Sequence, residues 1–371
     1  MHIASRRAKV ASLVVALALA AGLLACGGNG GDTGQPTPPA TPTPPPPAPP
    51  PAPSTADPAI AYQDGPNIAV VDEDGSNART LTSDGLNRTP SWSPDGAWLV
   101  FARREQVQGR TVQGIYIMRK DGSSRCRVVD VTATDDALFL HPAWSPQPVG
   151  GKHWIVYFDV PAGGQFHNLF AAEAPADPSA GCTTKPSGTL LTPGTESDAE
   201  TRPSWSPSAD NIVAQVFTPS GIEIVTYAFA VVNESPQLND RRVVTTSGGL
   251  AGVPQPVFPK WANTRDRLFV QANPTGIVGD TDTWWADLSG SANFNITSGL
   301  GSGHEQLEAT PSPDDRQITF LGSTSSNATF GIHKVDVEGS ESQLLVGGTG
   351  LKHPNWRRCN RNSADQIQDC E

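Results

Sequence analysis

The chain is expected to be all-β, a six-bladed β-propeller, and three features of the sequence carry that expectation. A Trp-containing unit recurs through the last 315 residues, its copies are spaced as a four-stranded blade requires, and the half-units at the two ends complement each other. The clearest copy runs RTPSWSPDGAWLVFARR at Arg88–Arg104, followed by QGIYIMRKDGSSRCRVV at Gln113–Val129. Others begin at His141 (HPAWSP), Arg202 (RPSWSP), Val257 (VFPKWA), Glu308 (EATPSP) and His353 (HPNWRR). The anchor positions are Trp92, Trp144, Trp205, Trp261, Pro311 and Trp356, separated by 52, 61, 56, 50 and 45 residues.

Within each copy a short strand leads into the anchor, a Ser-Pro turn follows, and alternating apolar strands come next. Asp74-Gly75 and Asp121-Gly122 sit between such strands, where a tight hairpin needs positive φ. Pro94 and Pro146 lack a ladder donor and fit at a strand end. The sixth copy stops after one strand. The three strands it lacks stand at the other end, in AIAYQDG from Ala59, NIAVVDEDG from Asn67 and ARTLT from Ala78. One C-terminal and three N-terminal strands therefore share a blade, which closes the ring and removes exposed sheet edges.

The anchor tryptophans are expected in the core between blades, where a large indole with one N–H donor suits a blade-to-blade contact. Trp284-Trp285 differ, because adjacent strand residues face opposite ways and one of the pair is a candidate for exposure.

The repeat, through its Pro-x-Trp-Ser-Pro-Asp-Gly turn (Pro90–Gly96) and Ile-Tyr-x-x-x-x-Asp-Gly hairpin (Ile115–Gly122), resembles the WD40-like repeat of the TolB β-propeller family. The resemblance covers Asp57 to Trp356 and implies an envelope protein that binds other macromolecules. The TolB family carries an α/β domain before its propeller. Here a different N-terminal region takes that place.

Residues 1–25 read as a secretory signal, with Arg6, Arg7 and Lys9 followed by an apolar stretch from Val10 to Leu24. Leu23-Leu24-Ala25-Cys26 resembles the bacterial lipobox, which implies that Cys26 is lipidated and becomes the first mature residue. Gly27 in the next position implies, by the same resemblance, sorting to the outer membrane, facing the periplasm. Residues 26–56 then form a Gly- and Pro-rich disordered stalk. Twelve of the chain's 35 prolines fall between Pro36 and Pro53, so this segment suits extended polyproline II. The propeller is expected over 57–358 and a tail over 359–371.

The chain of 371 residues has a net charge of -11. Removing the three bases of the leader leaves 23 bases against 37 acids, a net of -14. Such a surface repels phosphate backbones and argues against nucleic-acid binding. With Cys26 acylated, Cys126, Cys182, Cys359 and Cys370 remain, an even number suited to two disulfides in an oxidising compartment. Three connectivities are possible. The local one joins Cys359 to Cys370 and Cys126 to Cys182.

Catalytic templates are missing: no Gly-x-Ser-x-Gly elbow, no phosphate-binding glycine loop, no Cys-x-x-Cys. His304-Glu305-Gln306-Leu307-Glu308 has Glu308 where a zincin needs its second histidine. No catalytic residue, metal or cofactor is assigned. One constellation stands out, the residues ahead of the inner strands: Arg88, His141, Arg202, Glu308 and His353. Ring closure would gather them at one mouth of the central channel. The expected role is a binding scaffold, lipid-anchored and monomeric, for a protein or an envelope polymer. The alternative is a carbohydrate-active enzyme, such as a metal-assisted polysaccharide lyase, working at that mouth.

Overall fold

In the computed structural model, residues 58–357 are described apart from 108–109, 132–140, 160–166, 183, 185–187, 193–197, 275–279, 301–305, 324–329 and 340. The signal, Cys26, the stalk, Cys359 and Cys370 lie outside the described residues.

Six four-stranded antiparallel sheets make the propeller. The strands are, in order, β1 (Ile60–Asp64), β2 (Asn67–Val71), β3 (Arg79–Thr80), β4 (Asn87–Trp92), β5 (Trp98–Val107), β6 (Arg110–Arg119), β7 (Cys126–Val131) and β8 (Ala143–Trp144). They continue with β9 (Trp154–Asp159), β10 (Asn168–Glu173), β11 (Thr189–Leu190), β12 (Ala199–Trp205), β13 (Asn211–Thr218), β14 (Gly221–Val232), β15 (Ser235–Val243) and β16 (Val257–Trp261). The last are β17 (Arg267–Ala272), β18 (Asp282–Asp287), β19 (Asn293–Asn295), β20 (Gln306–Pro311), β21 (Gln317–Gly322), β22 (Gly331–Asp336), β23 (Gln343–Gly347) and β24 (Leu351–Trp356).

Blades 1 to 5 are β4–β7, β8–β11, β12–β15, β16–β19 and β20–β23. Blade 6 is β24-β1-β2-β3. Its register pairs Ile60 with Trp356 and Asp64 with Leu351, so the chain closes by the expected exchange of one C-terminal strand for three N-terminal ones.

The second strand of each blade is buried on both faces, because every blade packs against two neighbours. Leu99, Val100 and Phe101 of β5 and Ile155, Val156 and Tyr157 of β9 are all sealed from solvent. These strands therefore carry continuous apolar runs rather than the alternation expected from the sequence. Among the described residues the core divides into six clusters, one at each junction between successive blades.

Trp92, Trp144, Trp205, Trp261 and Trp356 each enter the cluster shared with the preceding blade. Two of them also fasten the junction by hydrogen bonds. Trp92 Nε1 donates to the Asn355 carbonyl and Trp205 Nε1 to the Ala143 carbonyl, both at 3.0 Å. Trp284 and Trp285 do face opposite sides, packing against the clusters before and after blade 4. Neither is open: both are half-buried, and the Arg267 guanidinium lies 3.6 Å from the Trp285 ring centroid.

After the anchor the chain reverses through its Ser-Pro turn. Gly96 N donates to Ser93 O at 3.0 Å, and Trp98 N donates to Ser93 Oγ at 2.9 Å. The fourth turn residue has positive φ, at +65° for Gly96, +60° for Ala209 and +59° for Asp315. Outer hairpins press against the preceding blade. At Gly122, with φ +88°, an added Cβ would stand 2.9 Å from the carbonyl oxygen of Leu81, just after β3.

Cys126 in β7 and Cys182 form a disulfide that joins the outer strand of blade 1 to the β10–β11 connection of blade 2. It is one of the two expected pairings.

Two outcomes follow for stability. Gly122→Ala puts a side chain into a left-handed backbone at about 1–2 kcal/mol, before the contact with Leu81 is counted. Its urea midpoint should fall accordingly. The double variant Cys126→Ser/Cys182→Ser opens a 56-residue separation, and the chain-entropy account gives a loss of about 4 kcal/mol. Chemical denaturation of the oxidised protein and the variant measures it.

Candidate binding site at the channel mouth

Three positions before each anchor stands one unusual residue. These are Thr89 (φ +49°), His141 (+39°), Arg202 (+54°), Phe258 (+53°), Glu308 (+57°) and His353 (+53°). Positive φ at non-glycine residues is sterically disfavoured and persists where the surroundings enforce it. In five blades the ladder shows why, because one extra residue of the inner strand is accommodated there. Arg88 pairs with Ala102 and Ser91 with Val100, so three steps on β4 match two on β5. The same slip falls at Thr201–Ser204, Val257–Lys260, Leu307–Thr310 and Lys352–Asn355. A β-bulge leaves a residue unpaired and re-aims its side chain. Proline follows the bulged residue in five copies and Ala309 in the sixth, and a missing N–H is harmless where no ladder bond is due.

Three of these N–H groups are satisfied by side chains of the preceding blade. Thr89 N donates to Gln63 Oε1 at 3.3 Å, Phe258 N to Gln215 Oε1 at 2.9 Å, and His353 N to Glu308 Oε2 at 2.7 Å. Blade-to-blade packing thus holds the strained ring in place.

All six residues line one cavity of about 80 Å³ at the mouth of the channel. His141, Arg202, Glu308 and His353 come together as the sequence suggested. Arg88 does not belong to the ring: it lies one residue earlier, in the ladder, and Thr89 takes the place in blade 1. Phe258 belongs to it and has no polar signature, although counting three residues back from Trp261 identifies it. The ring residues also lie largely inside the inner strands rather than ahead of them.

The centre of the ring is an ion network joining blades 3, 5 and 6. Glu308 Oε1 accepts from Arg202 Nη1 at 3.0 Å and from His353 Nδ1 at 2.8 Å. The side chains of His353, Glu308 and Arg202 are 8%, 12% and 25% exposed, so the network is screened less than a surface pair. Burial alone would raise the Glu308 pKa. The charge and hydrogen bond of His353, with Arg202, outweigh it and hold the carboxyl far below its ordinary range. The Arg202 guanidinium lies 3.9 Å from the centroid of Phe258, a cation–π contact.

His141 packs edge-on against His353 at 4.7 Å between centroids and stacks on Phe158 at 5.7 Å, which stacks on His167 at 5.3 Å. Burial pushes the His141 imidazole well below its ordinary pKa. Arg202 and His353 add to that shift, and Glu308 opposes it. Burial also lowers the His167 pKa.

Chemically, the mouth presents a guanidinium, a carboxyl held far below its ordinary pKa and an imidazole pushed below its own by burial. A carboxyl held this far below neutrality is a poor general acid, since catalytic proton transfer favours a pKa near the working pH. Among the described residues no three His, Cys, Asp or Glu side chains are arranged to hold a metal ion.

Two hairpins extend on the mouth side of their sheets. β5–β6 continues five residues beyond Ala102, the ladder partner of Arg88, and β13–β14 rises past Gln215 to its turn at Thr218–Gly221. Phe217 and Ile222 face each other across that second hairpin and are 43% and 40% exposed.

Comparison with known proteins places the fold. No family model matches the sequence, and no curated protein matches it. Solved structures do. TolB from Acinetobacter baumannii aligns with a TM-score of 0.56 at 14% identity, over 81% of this chain and 67% of that one. A putative TolB from Agrobacterium tumefaciens gives 0.52 at 16% identity, over 80% and 92%. Hydrazine synthase from Kuenenia stuttgartiensis gives 0.56 at 14% identity, over 84% of this chain and 48% of that one.

Glu308→Gln should lower stability by about 1–3 kcal/mol, below the range for a fully buried pair because the network is partly exposed. The acid side carries a sign. A depressed carboxyl stabilises the native state above about pH 4.3, its unfolded value, and that contribution is lost as pH falls through its folded pKa. Denaturant midpoints from pH 7 to pH 3 should therefore fall less steeply in the variant. By its architecture and the structures it aligns with, the chain folds as a six-bladed β-propeller similar to the propellers of the TolB structures.

Proposed function

We propose that this protein is a non-enzymatic binding scaffold of the bacterial envelope, anchored by lipid on Cys26 and holding its propeller away from the membrane on the 26–56 stalk. The scaffold takes a protein or envelope polymer on the face that carries the bulged ring. One observation supports this reading above the others: every blade places one residue of positive φ at the same mouth, and two hairpins extend on that side. Strain repeated at every blade around a single opening is what a recognition surface built by the whole ring requires. The exposed Phe217–Ile222 pair adds apolar contact beside the polar mouth.

The small cavity and the ionised Glu308 weigh against turnover of a sugar chain at this site. The resemblance of Leu23–Cys26 to the lipobox supports lipidation, and Gly27 supports outer-membrane placement by the same resemblance. Periplasmic orientation accords with the disulfide between Cys126 and Cys182.

Photo-crosslinking in cells tests the reading. A benzophenone residue at Phe217 or Ile222 should give a discrete adduct that weakens in Arg202→Ala. The same label at Asp314, on an anchor-side turn, should give none. Adducts from Asp314 alone, or turnover of oligosaccharides by the purified chain, would overturn the scaffold. Cys26→Ser should release the protein from the membrane fraction.

A further inference from the structure

Two residues before the positive-φ residue of each copy stand Asn87, Phe139, Glu200, Pro256, Gln306 and Leu351, so blade 3 alone places a charge there. Glu200, in β12, is 6% exposed. Its N–H donates to His167 O of blade 2 at 2.9 Å, and its Oε1 accepts from the Tyr227 hydroxyl at 3.3 Å. Oε2 has no hydrogen-bond partner. A buried carboxylate in that condition costs stability until a cation or further donors meet it.

The carboxyl lines a cavity of about 450 Å³ between blades 2 and 3, with Leu191 of blade 2 and Asp198, Tyr227, Leu238, Asp240 and Arg241 of blade 3. The other charges around it have partners. Arg241 reaches Asp198 at 3.6 Å and Glu223 at 3.4 Å, and Asp240 pairs with Arg242 at 2.5 Å. Among the described residues no ion pair involves Glu200. The undescribed segments next to the cavity in sequence, 160–166 and 193–197, contain no base, and the second adds Glu196. The undescribed Lys185 stands six residues before Leu191, with β11 between them in sequence. Burial, with the charge of Asp198, raises the Glu200 pKa, and hydrogen bonding offsets this only in part, as expected of a carboxyl with no cation beside it.

Three features choose the occupant. An uncompensated carboxylate calls for a cation that carries its own N–H donors, and rotation about the last side-chain bond, which is soft in glutamate, can turn either oxygen to the cavity. Leu191 and Leu238 suit the aliphatic stem that leads to such a head. The net charge of -11 draws a basic segment toward the chain. The position also fits the binding face. Glu200 pairs with Val216, the neighbour of the exposed Phe217, so the cleft and the Phe217–Ile222 pair flank one hairpin.

Resting on the mouth side as the binding face, we propose that the cleft between blades 2 and 3 receives a lysine or arginine side chain of a protein partner, with Glu200 as its counter-ion.

The test uses the full chain and three capped pentapeptides, Gly-Leu-X-Leu-Gly, in which X is lysine, arginine or norleucine. Calorimetric binding and denaturant midpoints at pH 7 are read for wild type, Glu200→Gln and Glu73→Gln, the last removing a charge from the exposed β2–β3 turn. The lysine or the arginine peptide should bind wild type at least ten-fold more tightly than the norleucine peptide. Glu200→Gln should abolish that difference and Glu73→Gln should keep it. The Glu200→Gln midpoint should equal or exceed that of wild type, because no internal ion pair is lost. Equal binding of the three peptides by wild type, which needs no variant, overturns the cleft. So does a basic-peptide preference that survives Glu200→Gln, or a lower midpoint in that variant, which would show the carboxylate paired within the chain. If crosslinks from Phe217 or Ile222 persist in that case, the scaffold stands and only the cleft falls. Crosslinks absent while the peptide preference holds would remove the scaffold and leave the cleft.

Discussion

Five of the six junctions in this propeller depend on the contact between one blade's anchor tryptophan and the blade before it. A single four-stranded sheet of this size has two apolar faces and cannot cover either alone. The indole of Trp92, Trp144, Trp205, Trp261 or Trp356 fills the wedge between neighbours close to the axis. There the sheets come nearest, and the N–H of Trp92 and Trp205 finds a carbonyl on the other side. Since the contact always points to the preceding blade, stability is passed around the ring and must return to its start. Blade 6 meets that demand by being built from both chain ends, and Trp92 fastens directly to Asn355.

The same directionality holds the mouth. A bulged residue with positive φ exposes an N–H that its own sheet cannot use, and Gln63, Gln215 and Glu308 supply acceptors from the preceding blade. Glu308 has two duties at once. It belongs to the ring through its own bulge, and it satisfies the bulge of His353 while pairing with Arg202 two blades away. Fold closure and the polar site are therefore one construction: weakening the blade 5–6 junction loosens the charges at the mouth, and removing the Glu308 charge strains the junction.

Much of this was legible in the sequence. The anchors set the blade count, and the half-copies AIAYQDG and HPNWRR set the closure, because a hydrophobic repeat records where each blade must be buried. Residue-level aim at the mouth was less legible. A bulge inserts one residue into a two-residue period, so Arg88 and Thr89 exchange places, and chemical type alone favours the arginine. Phe258 was invisible for the same reason, since its role at the mouth is to receive the Arg202 guanidinium rather than to carry charge. The Glu308–Arg202–His353 network joins positions 106 and 45 residues apart and exists only once the ring is closed.

The blade 4–5 junction shows how a departure from the repeat carries information. Read by itself, Pro311 is a decayed tryptophan copy, and Lys260 an odd residue in a channel of serines, threonine and asparagine. In the structure the two form a donor–acceptor pair from which both halves have been withdrawn. Asp315 and Asn263 take over the fastening. Loss of the anchor without replacement would have opened a junction, and a lysine opposite a tryptophan N–H would have left that donor buried and unsatisfied. Because the structural task was moved elsewhere, the residue before the anchor in blade 4 no longer had to be an acceptor and could become a lysine.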